Sequence, residues 1–543
     1  MIDSMLDRGS TPRAVSQSEA LFCALPALLI ASLCLLPLLN KPFLIDDPEY
    51  LGMAKQILKH PLHPMDFRIC WNMAPCTKLY AITPGNTLMG YALVPTVLLG
   101  TREWMAHLTQ LVFVWVAVIA MSALVLRFGY STSDAIAGTL FLVAIPPFLP
   151  MASTAMPDIL ATALAILSFE RLAAWKAFGK WRQGAAAGFA LGFAGIARPH
   201  LSLLLPLAAF YLFESMNPRE MLIQIRGKFA IWLPILIGAC VLFVFIMATR
   251  ETSLSLDPPA AARGLRKIPK NLLAYLGYLC LPLPLAAYWV AARWRTYPRR
   301  FIIVLLAVAT AGIATAGMLL KPLWYCFAIV SAVMLADLLL EALRKRDHLG
   351  MCLVLWLLVP IPIVYYFHLP IKYLLPCMPA IILICFRLAS CLSDRTFRAA
   401  KVLTVCAGML FSILILRSDA EFAEFGRTGL DSLIRPHVAA GEKVWSGGEF
   451  SAYWYAPLAG AELLVPGERE PRSGDLLAIG RFEGGDTTLR MLPKRTLVQS
   501  VLHTYSFGRT MGPGIGLYTN VQGFWMWGFG RSELDRYELW RID

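Results

Sequence analysis

The sequence predicts an all-α polytopic membrane protein of thirteen spans, followed by a small α/β domain on the outer side. Three observations predict it. Of 543 residues, 58% are hydrophobic and only 15% are charged, where a soluble domain is about half apolar and a quarter charged. Runs near the roughly 20 apolar residues that cross a bilayer recur between 20 and 416. From 417 onward those runs stop, and Gly- and Pro-rich turns separate short strand-like segments. A single soluble globule, a disordered chain and a collagen-like repeat are excluded.

The spans are expected at 20–40, 104–126, 134–150, 157–175, 229–248, 272–292, 301–320, 322–343, 350–367, 371–390 and 401–416. Between 184 and 213, Ala197-Arg198-Pro199-His200 interrupts an apolar stretch, which fits two short helices meeting at a membrane face. Segment 20–40 is too long for a removable signal peptide and lacks its cleavage flank, so it is expected as an uncleaved first span. Residues 86–99 reach only about two-thirds of a span and are expected to lie at the interface or re-enter. Gly184, Gly192 and Gly195 read as helix packing.

Charge sets the orientation. The net charge of +14 would suggest nucleic acid in a soluble protein; here it first reports sidedness. With a cytoplasmic N-terminus (1–19), the short inner loops carry Arg127, Lys176, Arg293, Arg344, Lys345, Arg395 and their neighbours. The outer loops 150–157 and 368–372 are poor in charge. The inner membrane of a bacterial-type cell is the expected location. The tail 417–543 then lies outside, with strands expected at 442–446, 462–465, 475–481 and 536–542 and a helix at 449–457. Cys70 and Cys76 share the first external loop, where a disulfide is permitted. Spacing alone leaves a bridge and two free thiols both open.

That loop, 41–103, carries the most chemistry. In Asp46-Asp47-Pro48-Glu49-Tyr50, Pro48 suits a first helical position with Asp47 as N-cap, opening a short amphipathic helix. Capping explains Asp47 well and Glu49 in part. It leaves Asp46, at the mouth of the bundle, placed to act as a general base. Asp158 opens the fourth span behind Pro157 and reads either as dipole complementation or as a second acid facing the same cavity. External cations are few: Lys78, Arg198, Arg263, Arg266, Lys267 and Lys372 are candidates for a phosphate, each set against simple snorkelling to headgroups. His60 and His63 are separated by prolines that argue against a helical metal pair. There is no phosphate loop, dinucleotide fingerprint or HExxH motif.

The chain resembles the GT-C membrane glycosyltransferases, in the group of protein O-mannosyltransferases, aminoarabinose transferases and their bacterial relatives. The resemblance covers about 20–416. It rests on Asp46-Asp47 and Tyr50 after the first span, Thr83-Pro84, Pro157-Asp158, Gly192 through Arg198, and Lys372-Tyr373-Leu374-Leu375-Pro376. It implies transfer of a sugar from a polyprenyl-phosphate carrier to a glycan, lipid or protein acceptor at the outer face. Asp46 would be the general base, Asp47 the second acid of the pair, and Asp158 an assistant. Glu49, Tyr50 and Lys372-Tyr373 would approach sugar or lipid phosphate. Relatives usually carry Asp-Glu where this chain has Asp46-Asp47. Some use a divalent metal, which this sequence leaves open; no other cofactor is implied. The alternatives are a lipid-linked glycan flippase, which needs polar residues along mid-span, and a glycan polymerase or ligase.

Overall fold

The computed structural model describes residues 13–69, 76–81, 85–213, 216, 220, 232–249, 258–281, 284–296, 321–390, 392–448, 450–481, 489–490, 494–530 and 533–543. It is mostly helical, with strands concentrated after residue 443. Among the described residues, six helices are long and apolar enough to cross a membrane, or seven if one bent pair forms a single span.

The expected thirteen are therefore not all met, for identifiable reasons. The helix at 134–150 is the shorter α-helix Thr132–Ala144, broken ahead of Pro146-Pro147. The span expected at 272–292 is divided into Pro258–Cys280 and Leu285–Thr296, bent by 61° about a proline-bearing break. Asp158–Phe178 has 21 residues but carries Asp158, Glu170, Arg171 and Lys176. Residues 301–320 lie outside the described residues. Trp181–Ala197 and Pro199–Leu212 do meet at Arg198-Pro199, as the sequence suggests. The glycines of Trp181–Ala197 are packing sites. A Cβ on Gly192 would stand 2.6 Å from Val241 Cβ on the helix Leu233–Thr249.

The segment 41–103, expected as the first external loop, folds around α1, Asp47–Lys59. Its apolar face is covered by two short helices, α2 (Leu88–Ala92) and α3 (Val94–Leu98), in the segment expected to lie at the interface or re-enter. A Cβ on Gly90 would reach 2.8 Å from Met53 Cβ, so a larger residue there would push α2 off α1. A two-residue hairpin pairs Arg68–Ile69 with Thr77–Lys78. Cys76 is disulfide-bonded; Cys70 lies outside the described residues. His60 and His63 are exposed at the end of α1.

The last membrane helix, α4 (Asp394–Ala439), runs 46 residues, about 69 Å at 1.5 Å per residue. That is about twice a hydrocarbon core. The boundary expected at 416/417 falls inside it, because the charged residues from Arg417 onward continue the helix instead of ending it. The strand-rich region packs on the C-terminal half of this helix. Its sheet contains β1 (Val444–Ser446), β2 (Glu462–Leu463), β3 (Leu476–Gly480), β4 (Arg495–Thr504) and β5 (Glu533–Ile542). They lie in the order β2-β1-β3-β5-β4. β1 is parallel to β2 and β3, and β5 is antiparallel to β3 and β4. A helix at Phe450–Leu458 reaches back to the first loop. There the backbone N–H of Phe43 donates to Tyr455 Oη at 2.7 Å, and Tyr455 donates to Glu103 at 3.1 Å.

Candidate active site at the mouth of the bundle

Asp46 precedes α1 at a strained point. Ile45 has φ +52° and is buried, although β-branched side chains avoid that region. Such a residue persists only where its surroundings over-determine it, at about 1–3 kcal/mol of strain. Asp47 supplies the constraint. Fully buried, its Oδ2 accepts from the Leu44 N–H at 2.9 Å and its Oδ1 from the Ala155 N–H at 2.8 Å. This corrects the capping assignment. Asp47 is the first helical residue, and its carboxylate ties the end of the first span to the turn before Asp158. Its neighbour Asp46 is left with no capping bond.

Burial pushes the Asp47 carboxyl from 3.8 up to about 7, against the Leu44 and Ala155 N–H groups and the Lys41 charge, with Asp46 adding to the rise. A folded-state value above the unfolded one means that the folded chain holds a proton the unfolded chain has lost. That contribution to stability is complete below about pH 4 and is lost as pH rises to about 7. Unfolding measured from pH 4 to 7 should show this decline in the wild type and a flatter profile in Asp47→Asn. Parallel profiles would show that Asp47 ionises freely.

Around Asp46 the chain gathers residues from distant segments. The Lys372 Nζ lies 3.4 Å from Asp46 Oδ2 and 3.3 Å from Met156 Sδ. Asp158 Oδ1 accepts from Arg198 Nη2 at 2.7 Å, and both residues are buried. The Arg198 guanidinium stands 4.7 Å from the Tyr373 ring centre. Tyr50 sits among them. Burial raises its phenol, the Arg198 charge opposes this, and Glu49, Asp46 and Asp158 add to it. Tyr366 is raised likewise by burial, with Tyr373, Glu49 and Asp46 adding to it. Asp46, Glu49, Tyr50, Asp158, Arg198, Lys372 and Tyr373 thus form one cluster. The Asp46 side chain is 27% exposed and that of Lys372 1%.

Three expected ligands are exposed, unlike the buried Arg198 and Lys372. Lys78 is exposed on the hairpin and paired with Asp66. Arg266 and Lys267 are exposed on the helix Pro258–Cys280. Lys78 is answered by Asp66, and Arg266 and Lys267 project from an exposed face of an amphipathic helix. The Arg263 side chain lies outside the described residues. Among the described residues no group of three or more His, Cys, Asp or Glu is placed to hold a metal ion. A cavity of about 510 Å³ is apolar and lies elsewhere, between Phe141, Trp324, Phe411 and the tail residues Phe524 to Trp527.

Sequence reading missed a second buried group beside the cluster. Lys41 Nζ donates to Asp419 Oδ2 at 2.5 Å and to Ser153 Oγ at 3.0 Å. Tyr518 Oη donates to the same Asp419 oxygen at 2.7 Å, and its ring centre lies 5.5 Å from Lys372 Nζ. An acid at 419, just past a span, was the available signal.

No family model matches the chain, and no curated protein matches it. Among solved structures the chain is similar to ArnT from Cupriavidus metallidurans in the apo state, with a TM-score of 0.40 and 12% identity over 96% of this chain and 97% of that one. It is also similar to the same protein bound to undecaprenyl phosphate, with a TM-score of 0.39 and 11% identity over 88% and 96%. The Archaeoglobus fulgidus oligosaccharyltransferase follows with a TM-score of 0.32 and 14% identity, over 66% of this chain and 55% of that one.

Proposed function

We propose that the chain is a membrane glycosyltransferase of the GT-C kind. It moves a sugar from a polyprenyl-phosphate donor to an acceptor hydroxyl at the outer face of a bacterial-type inner membrane. The observation that carries this reading is the pairing of a partly exposed carboxylate, Asp46, with a buried ammonium, Lys372, 3.4 Å away. A charge-assisted contact at full strength is nearer 2.7–2.9 Å. The pair is loose, so a substrate can enter between its members.

The chemistry follows from that geometry. The Asp46 carboxylate takes the proton of the acceptor hydroxyl as its oxygen bonds to the anomeric carbon. The bond from that carbon to the phosphate oxygen breaks, and its electron pair leaves with the polyprenyl phosphate. Negative charge grows on the phosphate, where Lys372 stabilises it. Arg198 is already neutralised by Asp158 and holds the Tyr373 ring in place. Its role is support for the wall behind Lys372. Asp47 stays structural, holding Asp46 at the mouth.

Two expected results follow. Lys372→Met should weaken the chain's affinity for a polyprenyl phosphate by about tenfold or more, since a charged hydrogen bond contributes about 1.5–3 kcal/mol. Titration of purified protein in nanodiscs with undecaprenyl phosphate reads this, and unchanged affinity would remove Lys372 as the phosphate ligand. A panel of lipid-linked sugars tests the reaction itself; no transfer from any of them would remove the transferase reading.

A further inference from the structure

Lys372 is buried, yet its described polar neighbours are one carboxylate oxygen at 3.4 Å and one thioether sulfur at 3.3 Å. An ammonium has three donors. Two aromatic faces complete its surroundings, Tyr373 at 5.8 Å and Tyr518 at 5.5 Å. The second belongs to the C-terminal tail.

Tyr518 is anchored from behind through Asp419 and Lys41. The next two tail residues grip the other flank of Lys372. Thr519 Oγ1 and His368 Nδ1 are 2.9 Å apart, and His368 Nε2 lies 3.1 Å from the Tyr373 hydroxyl. Asn520 Oδ1 accepts from the Leu369 N–H at 3.0 Å, while its Nδ2 donates to Asn271 Oδ1 at 2.9 Å. Asn271 Nδ2 in turn donates to the carbonyls of Val364 and Tyr366. Three consecutive tail residues therefore hold the segment 364–373 from which Lys372 projects.

We propose that Tyr518, Thr519 and Asn520 are positioning residues for the anion-binding end of the site. They fix the Lys372 ammonium and the Tyr373 ring where a lipid phosphate docks, so the C-terminal tail is part of the site's wall. This rests on the reading of Lys372 as the phosphate ligand. Lysine is a flexible point charge. Without the Tyr518 face it would fold closer to Asp46 and quench both groups. With that face it is attracted sideways by a ring that takes up none of its hydrogen-bond donors. The phenol itself is committed to Asp419, which leaves the ring free to do this.

The test uses full-length protein in nanodiscs titrated with undecaprenyl phosphate, with thermal unfolding measured beside it. Tyr518→Leu should weaken binding by about tenfold, in the range expected for a desolvated cation–ring contact. Tyr518→Phe keeps the ring and loses only the hydroxyl. It should bind within about threefold of wild type while unfolding at a lower temperature. Affinity following the ring while stability follows the hydroxyl is an outcome that a merely structural residue would not give. Should Tyr518→Leu fail to fold, Thr519→Val, nearly isosteric, removes the His368 partner and should still weaken binding. Wild-type affinity in the Leu variant, or in Thr519→Val when it stands in for that variant, would overturn the proposal, as would Phe and Leu losses that track unfolding alone. If the wild type itself fails to bind, the functional reading falls first and this proposal with it.

Discussion

Asp46→Asn is expected to lower kcat for sugar transfer by about 10²–10⁴-fold, the usual worth of a positioned general base, with unfolding close to wild type. The asparagine keeps an oxygen that accepts from Lys372 and removes only the ability to take a proton. Asp46 makes no capping bond, and its side chain is 27% exposed, so little of the fold depends on its charge. KM for the donor should change little, because the base acts on the acceptor hydroxyl. Asp46→Glu should recover part of the rate, since the carboxylate is restored about one bond too far out. A single-turnover transfer assay on purified protein reads all of this. Full activity in Asp46→Asn would remove Asp46 as the base and leave the cluster as a structural network. Asp47→Asn is the control: it alters stability and its pH profile, because both carboxylate oxygens of Asp47 are engaged by backbone N–H groups.

The contrast between these adjacent acids shows what the sequence discloses. Apolar run length made the six long apolar helices legible, since burial in lipid is a property of local composition. Asp46, Asp158, Arg198 and Lys372 were legible because charged residues at span ends are rare and must face one another or water. Asp47 was misread because the local pattern of a helix cap and that of a long-range tie are identical; its second partner, Ala155, is 108 residues away. Lys78, Arg266 and Lys267 are exposed, and their sequence context does not say what they meet. A basic residue outside a membrane looks the same whether it meets a phosphate or only solvent. The tail strands at 444–446, 462–463, 476–480 and 533–542 were readable from alternation and turns. The long strand Arg495–Thr504 was not, because most of its residues are exposed and carry no alternating signal.

Asp419→Asn should cost about 3–5 kcal/mol of stability, the usual penalty for stranding one member of a buried ion pair. Both side chains of the pair are buried, at 1% for Lys41 and 0% for Asp419. Asparagine keeps one acceptor, so Tyr518 or Lys41 retains a bond, but the buried Lys41 ammonium loses its counter-charge. Lys41→Met should cost less. It leaves Asp419 buried, but with Tyr518 donating at 2.7 Å and Thr510 at 3.4 Å, so the remaining charge is partly satisfied. The double variant Lys41→Met with Asp419→Leu removes both charges and should recover much of the loss, since a buried pair and a well-packed apolar pair are often close in free energy. A double-mutant cycle on unfolding in detergent isolates the coupling. Additive losses would mean that the two groups are solvated independently. The expected non-additivity has a functional consequence as well. Lys41 follows the first span, Ser153 precedes Asp158, Asp419 lies on α4 and Tyr518 belongs to the tail. The buried Lys41–Asp419 pair therefore joins the four segments that surround Asp46 and Lys372. Its loss should loosen the base and the phosphate ligand together, lowering kcat and donor affinity in the same variant, where Asp46→Asn lowers kcat alone.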